Sequence, residues 1–349
     1  MKLPFAIFSK NIGIDLGTAN SLIYLSGRGI VVNEPSIAAI NNKTNQILAI
    51  GEEAKKMVGR TPIHVSVIRP LVSGVISDFD MTQEILRYFL RKLGGSNSFL
   101  GFQNAVIGVP SNLTEVERKS VEDAVVGAGA SRAYIIEEPL AAALGARLPI
   151  DEPTANMIVD IGGGTTEIAI ISMGGTVISK SLKIAGDRLN DDIIRFIRDE
   201  FRLAIGEPTA EELKISIGSA IPVDQKMEIA IRGRDLVTGL PKEILVKDTH
   251  IRAAIVKSLK TIVEAIKEVV ENAPPELAGD MLRKGISLCG GSSLLKGMDV
   301  LLARELGVMT TVVDDPLTCV ARGTGVVVEN LEKYKHILDT PLSPRDIKI

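Results

Sequence analysis

The sequence predicts an α/β protein made of two duplicated α/β halves, and three observations predict it. Strand-like apolar runs alternate along the chain with segments of helical period, the pattern of sheets layered with helices. The 349 residues, 45% hydrophobic and 24% charged, are enough for two cores of ordinary size. One stretch also occurs twice: "NIGIDLGTANSLIYL" (11–25) and "NMIVDIGGGTTEIAII" (156–171). Each runs as an apolar strand, an aspartate, a glycine turn with hydroxyl or amide residues, and a second apolar strand. Half a chain apart, the two copies suggest one repeated core per half.

The elements follow in order. Residues 114–127 are expected to be helical, with Thr114 and Glu117 as a capping box, Val116, Val121, Ala124 and Val125 apolar, and Gly127 at the C-cap. Over 191–204, Ile193, Ile194, Ile197 and Phe201 recur at helical spacing, and Asp191 and Asp192 suit the N-terminal dipole. Residues 226–247 alternate as a β-hairpin around Thr238-Gly239. A longer helix is expected from about 250 to 272, with Ile251, Ile255, Leu259, Ile262 and Ile266 on one stripe, stopping before Pro274-Pro275.

Composition excludes several classes. A net charge of −3 gives no electrostatic ground for a nucleic-acid partner. Cys289 and Cys319 are the only cysteines, which fits a reducing cytosol and leaves no disulfide framework. Three histidines without a Cys/His spacing pattern argue against zinc. No apolar run approaches the ~20 residues of a membrane-spanning helix. The N-terminal "MKLPFAIFSK" is too short for a secretory signal and lacks a small-residue cleavage site. A cytoplasmic location is expected.

The two glycine turns carry the chemistry. Without a Cβ, glycine lets backbone N–H groups wrap an anion. Gly17, Thr18, Ala19 and Asn20 offer one cradle, and Gly162, Gly163 and Gly164 with Thr165 and Thr166 offer the other. A carboxylate beside bound phosphate is repulsive unless a cation lies between them. Asp15 and Asp160 are therefore expected to anchor a hydrated Mg²⁺ through its waters, and two facing cradles would clamp a triphosphate. A single such turn reads more readily as a tight hairpin with a capping aspartate; the second copy reverses that preference. Neither G-x-x-x-x-G-K-[ST] nor G-x-G-x-x-G leading into a helix is present. A third glycine element, "SLCGGSSLLKG" (287–297), places Gly290, Gly291 and Ser292 where backbone could lie flat against a base or sugar. Taken alone, it is equally a plain strand-to-helix turn.

In this order the elements resemble the actin, sugar kinase and heat-shock chaperone ATPase superfamily. The phosphate loops fall at 13–20 and 160–167, the adenosine motif at 288–297, and connecting segments at "EEPLAAALGA" (137–146) and "DPLTCVARGTG" (315–325). Within that superfamily the chain is similar to the MreB family of rod-shape-determining bacterial actin homologues. "IGIDLGTANSLIY", "GVISDFD", "IIEEPLAAALGA", "VDIGGGTTEIAII" and "TAEELKISIGSA" carry the likeness, which covers nearly the whole chain.

The resemblance implies an actin-like ATPase fold, with two halves hinged about a nucleotide cleft and a smaller insert in each. Residues 1–34, 69–147 and 322–349 would form the first core and 35–68 its insert. Residues 148–185 and 250–321 would form the second core and 186–249 its insert. It also implies ATP and Mg²⁺ as cofactors, with Gly186, Asp187, Glu211 and Lys214 at the nucleotide. The last two share one side of a helix at i, i+3 and would face the ribose and base. Glu138, fixed by Pro139, would orient the attacking water, with Thr165 or Thr166 holding that water or the γ-phosphate. Glu137 competes for this role, and only the family alignment separates the two. No His or Lys stands in the loops as a strong base, so turnover is expected to be slow. A sugar kinase would need a sugar pocket and usually a longer chain. A chaperone would need a peptide-binding domain, for which the two dozen residues after 325 leave no room.

The implied partners are further copies of the chain, in paired antiparallel filaments, together with RodZ, MreC, MreD and the wall synthases. For the inner face of the cytoplasmic membrane the residues themselves offer candidates. Leu3, Phe5, Ile7 and Phe8 stand among only Lys2 and Lys10, and Phe99, Leu100 and Phe102 fall in the Gly/Ser-rich stretch 94–103. The terminus could equally pack as an edge strand and the loop fold back on its own domain. The resemblance, in which both places contact the membrane, favours the lipid.

Overall fold

The computed structural model describes residues 10–94, 101–224 and 226–338. Leu3, Phe5, Ile7, Phe8, Phe99 and Leu100 lie outside the described residues. The chain opens on a meander of β1 (Lys10–Leu16), β2 (Asn20–Leu25) and β3 (Gly29–Pro35). It then enters a small unit of β4 (Ala38–Asn41), β5 (Gln46–Ile50), α1 (Glu52–Lys55) and β6 (Val65–Ile68). A hairpin of β7 (Leu71–Val72) and β8 (Val75–Ile76) leads to α2 (Phe79–Gly94), β9 (Phe102–Val109), α3 (Glu115–Ala128), β10 (Ala130–Glu137) and α4 (Glu138–Gly145).

The plan then repeats. A second meander, β11 (Asn156–Ile161), β12 (Thr166–Ser172) and β13 (Gly175–Leu182), precedes an insert of α5 (Gly186–Phe201), β14 (Leu203–Ala204), α6 (Glu207–Ile217), β15 (Glu228–Asp235) and β16 (Pro241–Lys247). After it come α7 (Asp248–Glu271), α8 (Pro275–Lys284), β17 (Ile286–Cys289), α9 (Met298–Leu306), β18 (Thr310–Val312), α10 (Cys319–Glu329) and α11 (Leu331–Tyr334). The first sheet runs β3-β2-β1-β9-β10 and the second β13-β12-β11-β17-β18. In each, three antiparallel meander strands continue into two parallel ones. Each small sheet, β5-β4-β6 and β14-β15-β16, is spliced in after the third meander strand. The duplication read from two hairpins extends to whole sheets.

Strand alternation sorts the layers. Ile12 and Ile14 of β1 and Ala105 and Ile107 of β9 join one core with α2 and α3, while Val106 faces the opposite side. Met157, Val159 and Ile161 of β11 join a second core with α5, α6, α7 and α9, while Ile158 faces back. Between the two sheets α4 and α10 pack together, closely enough that a Cβ on Gly145 would fall 1.9 Å from the Cys319 carbonyl oxygen. Gly323 is pressed in the same way on the Ala141 carbonyl oxygen. Each helix follows the last parallel strand of its own sheet, so they are equivalents that meet at the middle of the molecule.

Local expectations met several corrections. The capping box of α3 is present, but the helix passes through Gly127 and is capped by Gly129 at φ 131°. Gly127 is pressed against Gln83 inside the helix instead, and Val116 is solvent-facing. Helix α5 begins at Gly186 rather than Asp191, because Leu189 continues the buried stripe of Ile193 and Ile197 back by one turn. It ends at Arg202, in the left-handed region at φ 53°, and Leu203–Ala204 is strand. The hairpin turn is held by the Asp235 carboxylate, which accepts from the Val237 and Thr238 N–H groups. Phe102 is not part of an exposed loop: it opens β9 opposite Ala130 and is 6% exposed in the first core.

Candidate functional site

The alternation that buries Ile12, Ile14 and Leu16 on one face of β1 turns Asp15 to the other, and Asp160 leaves β11 on the equivalent face. Both aspartates end their strands at the start of a glycine turn, so duplication aims the two turns at one another. They meet: a Cβ on Gly163 would lie 2.8 Å from the Ala19 Cβ, and one on Gly164 2.5 Å from the Thr18 Oγ1. The first turn is tied down from behind, since the buried Ser36 donates from its hydroxyl to the Gly17 carbonyl and from its N–H to the Ala19 carbonyl. In the second turn the Gly162 N–H donates to the Thr165 carbonyl, and the Gly162 carbonyl accepts from Gly186 N–H and Ser292 Oγ. Asp187 N–H reaches the Gly163 carbonyl at 2.8 Å. The start of α5 and the third glycine element are thereby welded to the second turn.

A cavity of about 740 Å³ opens between these pieces. Its lining takes in Asp15, Gly17, Thr18, Ala19, Asn20, Glu138, Asp160, Gly162, Gly163, Gly164 and Thr165, together with Gly186, Asp187, Glu211, Lys214, Gly290, Gly291 and Ser292. Its size is that of a drug- or nucleotide-sized ligand site. Thr166 is the exception among the sequence-derived residues: it is fully buried as the first residue of β12 and its hydroxyl donates to the Ile184 carbonyl at 2.7 Å, away from the cavity. Glu137 and Glu138 part company at the start of α4. Glu138 lines this cavity, whereas Glu137 accepts from Thr176 and borders a separate one of about 540 Å³.

The electrostatics of the turn end are one-sided. Burial, with Asp160 beside it, pushes the Asp15 carboxyl up to about 8. Burial, with Glu167 beside it, pushes Asp160 up to about 7, although the Cys289 thiol donates to it and holds it down. Glu138 is raised by burial and then by Glu167, Asp15 and Asp160. Glu167, 1% exposed and also on the cavity wall, is raised by burial while Ser181 and the Ser111 N–H restrain it. The charges that act on Asp15, Glu138 and Asp160 are all other carboxylates. Such a set lacks a cation. Among the described residues no three His, Cys, Asp or Glu side chains converge closely enough to hold a metal ion directly, so the donors fit a hydrated divalent ion held through its waters.

Glu167, Arg69 and Asn190 are among the lining residues that the sequence reading did not single out. Glu167 was legible: in a strand, residues two apart share a face, so a cavity-facing Thr165 implies Glu167 and excludes Thr166. Arg69 and Asn190 gave no signal, because each takes its meaning from α6. Arg69 pairs with Glu207 at 2.6 Å, from the end of the first insert to the start of α6. Lys214 is 9% exposed and donates both to Glu211 and to the Gly186 carbonyl. Asp187, nearby, is raised to about 6 by burial, against the pull of Arg69 and Lys214.

Comparison with known proteins agrees with this architecture. A family model described as MreB/Mbl protein matches residues 9–336. The cell shape-determining protein Mbl of Bacillus subtilis (strain 168) is 47% identical, over 94% of this chain and 98% of that protein. The cell shape-determining protein MreB of Escherichia coli (strain K12) is 45% identical, over 94% of this chain and 96% of that protein. Crystal structures of MreB 5 of Spiroplasma citri, bound to AMPPNP or to ADP, superpose with a TM-score of 0.89 at 40% identity, covering 94% of this chain and 98% of that one.

Proposed function

The chain belongs to the MreB/Mbl family of cell shape-determining actin homologues, and we propose that it binds ATP with Mg²⁺ in the cleft, hydrolyses it slowly, and polymerises into membrane-associated filaments that organise cell-wall elongation. The observation that carries this reading is the pair of glycine turns in contact across the cleft, each headed by an aspartate that lines it. The AMPPNP and ADP seen in a 40%-identical relative of the same fold support nucleotide binding.

In this reading Gly17, Thr18, Ala19 and Asn20 and the turn from Gly162 to Gly164 cradle the phosphates. Asp15 and Asp160 hold the hydrated ion through its waters. A bound Mg²⁺ would neutralise charge on the phosphates. Gly290, Gly291 and Ser292 back the adenosine, which Glu211 and Lys214 meet from α6. Glu138 orients the attacking water from the first turn of α4, and Thr165 holds that water or the γ-phosphate. Phosphoryl transfer to water asks mainly for such positioning. The four units drawn from the resemblance, with inserts at 35–68 and 186–249, would close on nucleotide about the α4–α10 contact. Among the described residues no helix is long and apolar enough to cross a membrane, so lipid contact falls to the apolar terminus and the 95–100 stretch. RodZ, MreC, MreD and the wall synthases complete the proposal as partners by family resemblance.

The test is sedimentation and electron microscopy of purified protein with ATP, with and without Mg²⁺ and lipid vesicles, beside a Glu138→Ala variant. Filaments that need nucleotide, and a variant that binds ATP and assembles while hydrolysing poorly, are expected. ATP binding without any assembly would make this a non-polymerising ATPase of the same fold. Normal hydrolysis in the variant would remove Glu138 from its role.

A further inference from the structure

The hairpin of β7 and β8 has little of its own to hold it together. Only Leu71 with Ile76 and Val72 with Val75 pair across it, and a two-stranded hairpin that short is not stable by itself in water. Its two turn residues, Ser73 and Gly74, have φ of 49° and 74°. Positive φ at both positions is the mark of a type I′ turn, which favours Asn, Asp or Gly at the first of them. Serine there is held in the left-handed region against its own preference. The turn therefore depends on what surrounds it.

Both glycine turns of the cleft surround it. Gly74 N–H donates to Thr18 Oγ1 of the first turn at 3.0 Å. Ser73 Cα is 3.0 Å from where a Cβ on Gly164 would lie, and a Cβ on Gly74 would collide with Pro110 and fall 3.5 Å from Thr165 Cγ2. The hairpin tip is thus wedged between the two cradles, and Gly74 itself lines the cavity. A hydroxyl has one proton to give and two lone pairs to offer. Thr18, also on the cavity wall, uses a lone pair for Gly74, and among the described residues its proton goes to no other group. The complementary ligand atom is an acceptor such as a phosphate oxygen. At its other end the hairpin is closed by Ser77, whose N–H and hydroxyl both donate to the Pro70 carbonyl. The residue before that proline is Arg69, which pairs with Glu207 of the second insert.

We infer that the Ser73–Gly74 turn senses whether the phosphate site is filled and passes this to the two inserts. An oxyanion that takes the Thr18 proton makes Thr18 Oγ1 a stronger acceptor. The Gly74 N–H bond then tightens, the strained turn is held, and Arg69 stands at the base of a fixed hairpin to meet Glu207. With the site empty, the strain at Ser73 works against the same arrangement, so hairpin and ion pair loosen together. Serine at 73 sets the response, since a residue at ease in the left-handed region would hold the turn with or without phosphate. The inference rests on the nucleotide reading of this cleft given under the proposed function.

The test is hydrogen–deuterium exchange of the full-length protein, read by mass spectrometry on a peptide covering 69–78 and referred to α7, none of whose residues lines the cavity. Wild type, Thr18→Val, Thr18→Ser and Ser73→Asn are compared without nucleotide and with saturating ADP or AMPPNP in Mg²⁺, binding itself being measured by calorimetry. In wild type, nucleotide should slow exchange of the peptide about 5- to 10-fold, the scale of one hydrogen bond. Thr18→Val should bind nucleotide more weakly and show no slowing, and Thr18→Ser should restore it. Ser73→Asn should be protected before nucleotide is added and respond much less to it, which a merely structural role would not produce. Wild type that binds neither nucleotide would overturn the nucleotide reading itself. Nucleotide that binds without slowing the peptide, or a full response in Thr18→Val or Ser73→Asn, would overturn the sensor alone. If Thr18→Val fails to fold or to bind, wild type and Ser73→Asn still decide.

Discussion

Asp160→Asn should make the ligand-free protein more stable, and by an amount that depends on pH. Asp160 is 8% exposed and faces Glu167 across the β11–β12 ladder, with Asp15, Glu138 and the Cys289 thiol around it. Its carboxyl stands at about 7 in the folded protein against an ordinary 3.8. Between those values the folded state keeps a proton that the unfolded state releases, so stability falls as pH rises through this window and levels off above it. Roughly three pH units at about 1.36 kcal/mol each come to ~4 kcal/mol. Asparagine keeps the shape and cannot ionise. The variant should therefore match wild type near pH 4 and exceed it by up to ~4 kcal/mol at pH 8. With an unfolding entropy of about 2.1 cal/mol/K per residue, that is roughly 5 °C in melting temperature for a chain of this length. Thermal melts from pH 4.5 to 8.5 in EDTA without nucleotide measure it. With Mg²⁺ and ATP the order should invert, because in the proposed function it is the charged carboxylate that would hold the hydrated ion. A difference that stays flat with pH, or a wild type that is the more stable partner at pH 8 without ligand, would refute the account.

Other outcomes follow from single contacts. Gly164→Val should abolish nucleotide binding while the fold persists, since even a Cβ there falls 2.5 Å from Thr18 Oγ1 and 3.0 Å from Ser73 Cα; fluorescence titration with an ATP analogue labelled on the base reads it. Arg69→Gln or Glu207→Gln opens a half-exposed ion pair across the cleft mouth, worth about 0.5–1 kcal/mol after solvent screening. Nucleotide release in stopped flow should then quicken roughly 2- to 5-fold, and the swapped pair Arg69→Glu with Glu207→Arg should restore it. Deleting residues 2–8 with Phe99→Ser and Leu100→Ser, but leaving the core residue Phe102 intact, should end co-flotation with vesicles without ending assembly. A variant that still floats would remove those residues from the membrane contact.

How much of this was legible depended on how far apart the deciding residues lie. The two hairpins announced the duplication because strand, aspartate and glycine turn are contiguous, and the capping box of α3 is equally local. Gly127 and Gly129 could not be ranked as caps, because Gln83 of α2 decides which one stays helical. The start of α5 was missed for a related reason: Gly186 and Asp187 look like a loop until their N–H groups are seen bound to the second turn. Phe102 was placed with the Gly/Ser stretch before it, although the strand it opens is buried. Asn190 had no local signature, since its partner Glu211 lies on another helix.

The repeat also shows where scaffold ends and chemistry begins. Asp15 is paired across its hairpin with Leu22, but Asp160 is paired with Glu167, so the second hairpin carries a carboxylate where the first has an apolar side chain. The equivalent connecting helices start differently as well, α4 at Glu138 and α10 at Cys319. Both departures add acid to the same end of the cavity, one from each half. Sheet order, insert position and the glycine contact between α4 and α10 are common to the two halves and serve to bring the turns together. Burial and the Glu167 charge together raise both Glu138 and Asp160 and disfavour their ionisation in the absence of a cation. If the proposed function holds, this carboxylate cluster should admit phosphates only together with the ion, so nucleotide affinity is expected to fall with Mg²⁺ removal far more than with any change at the sugar.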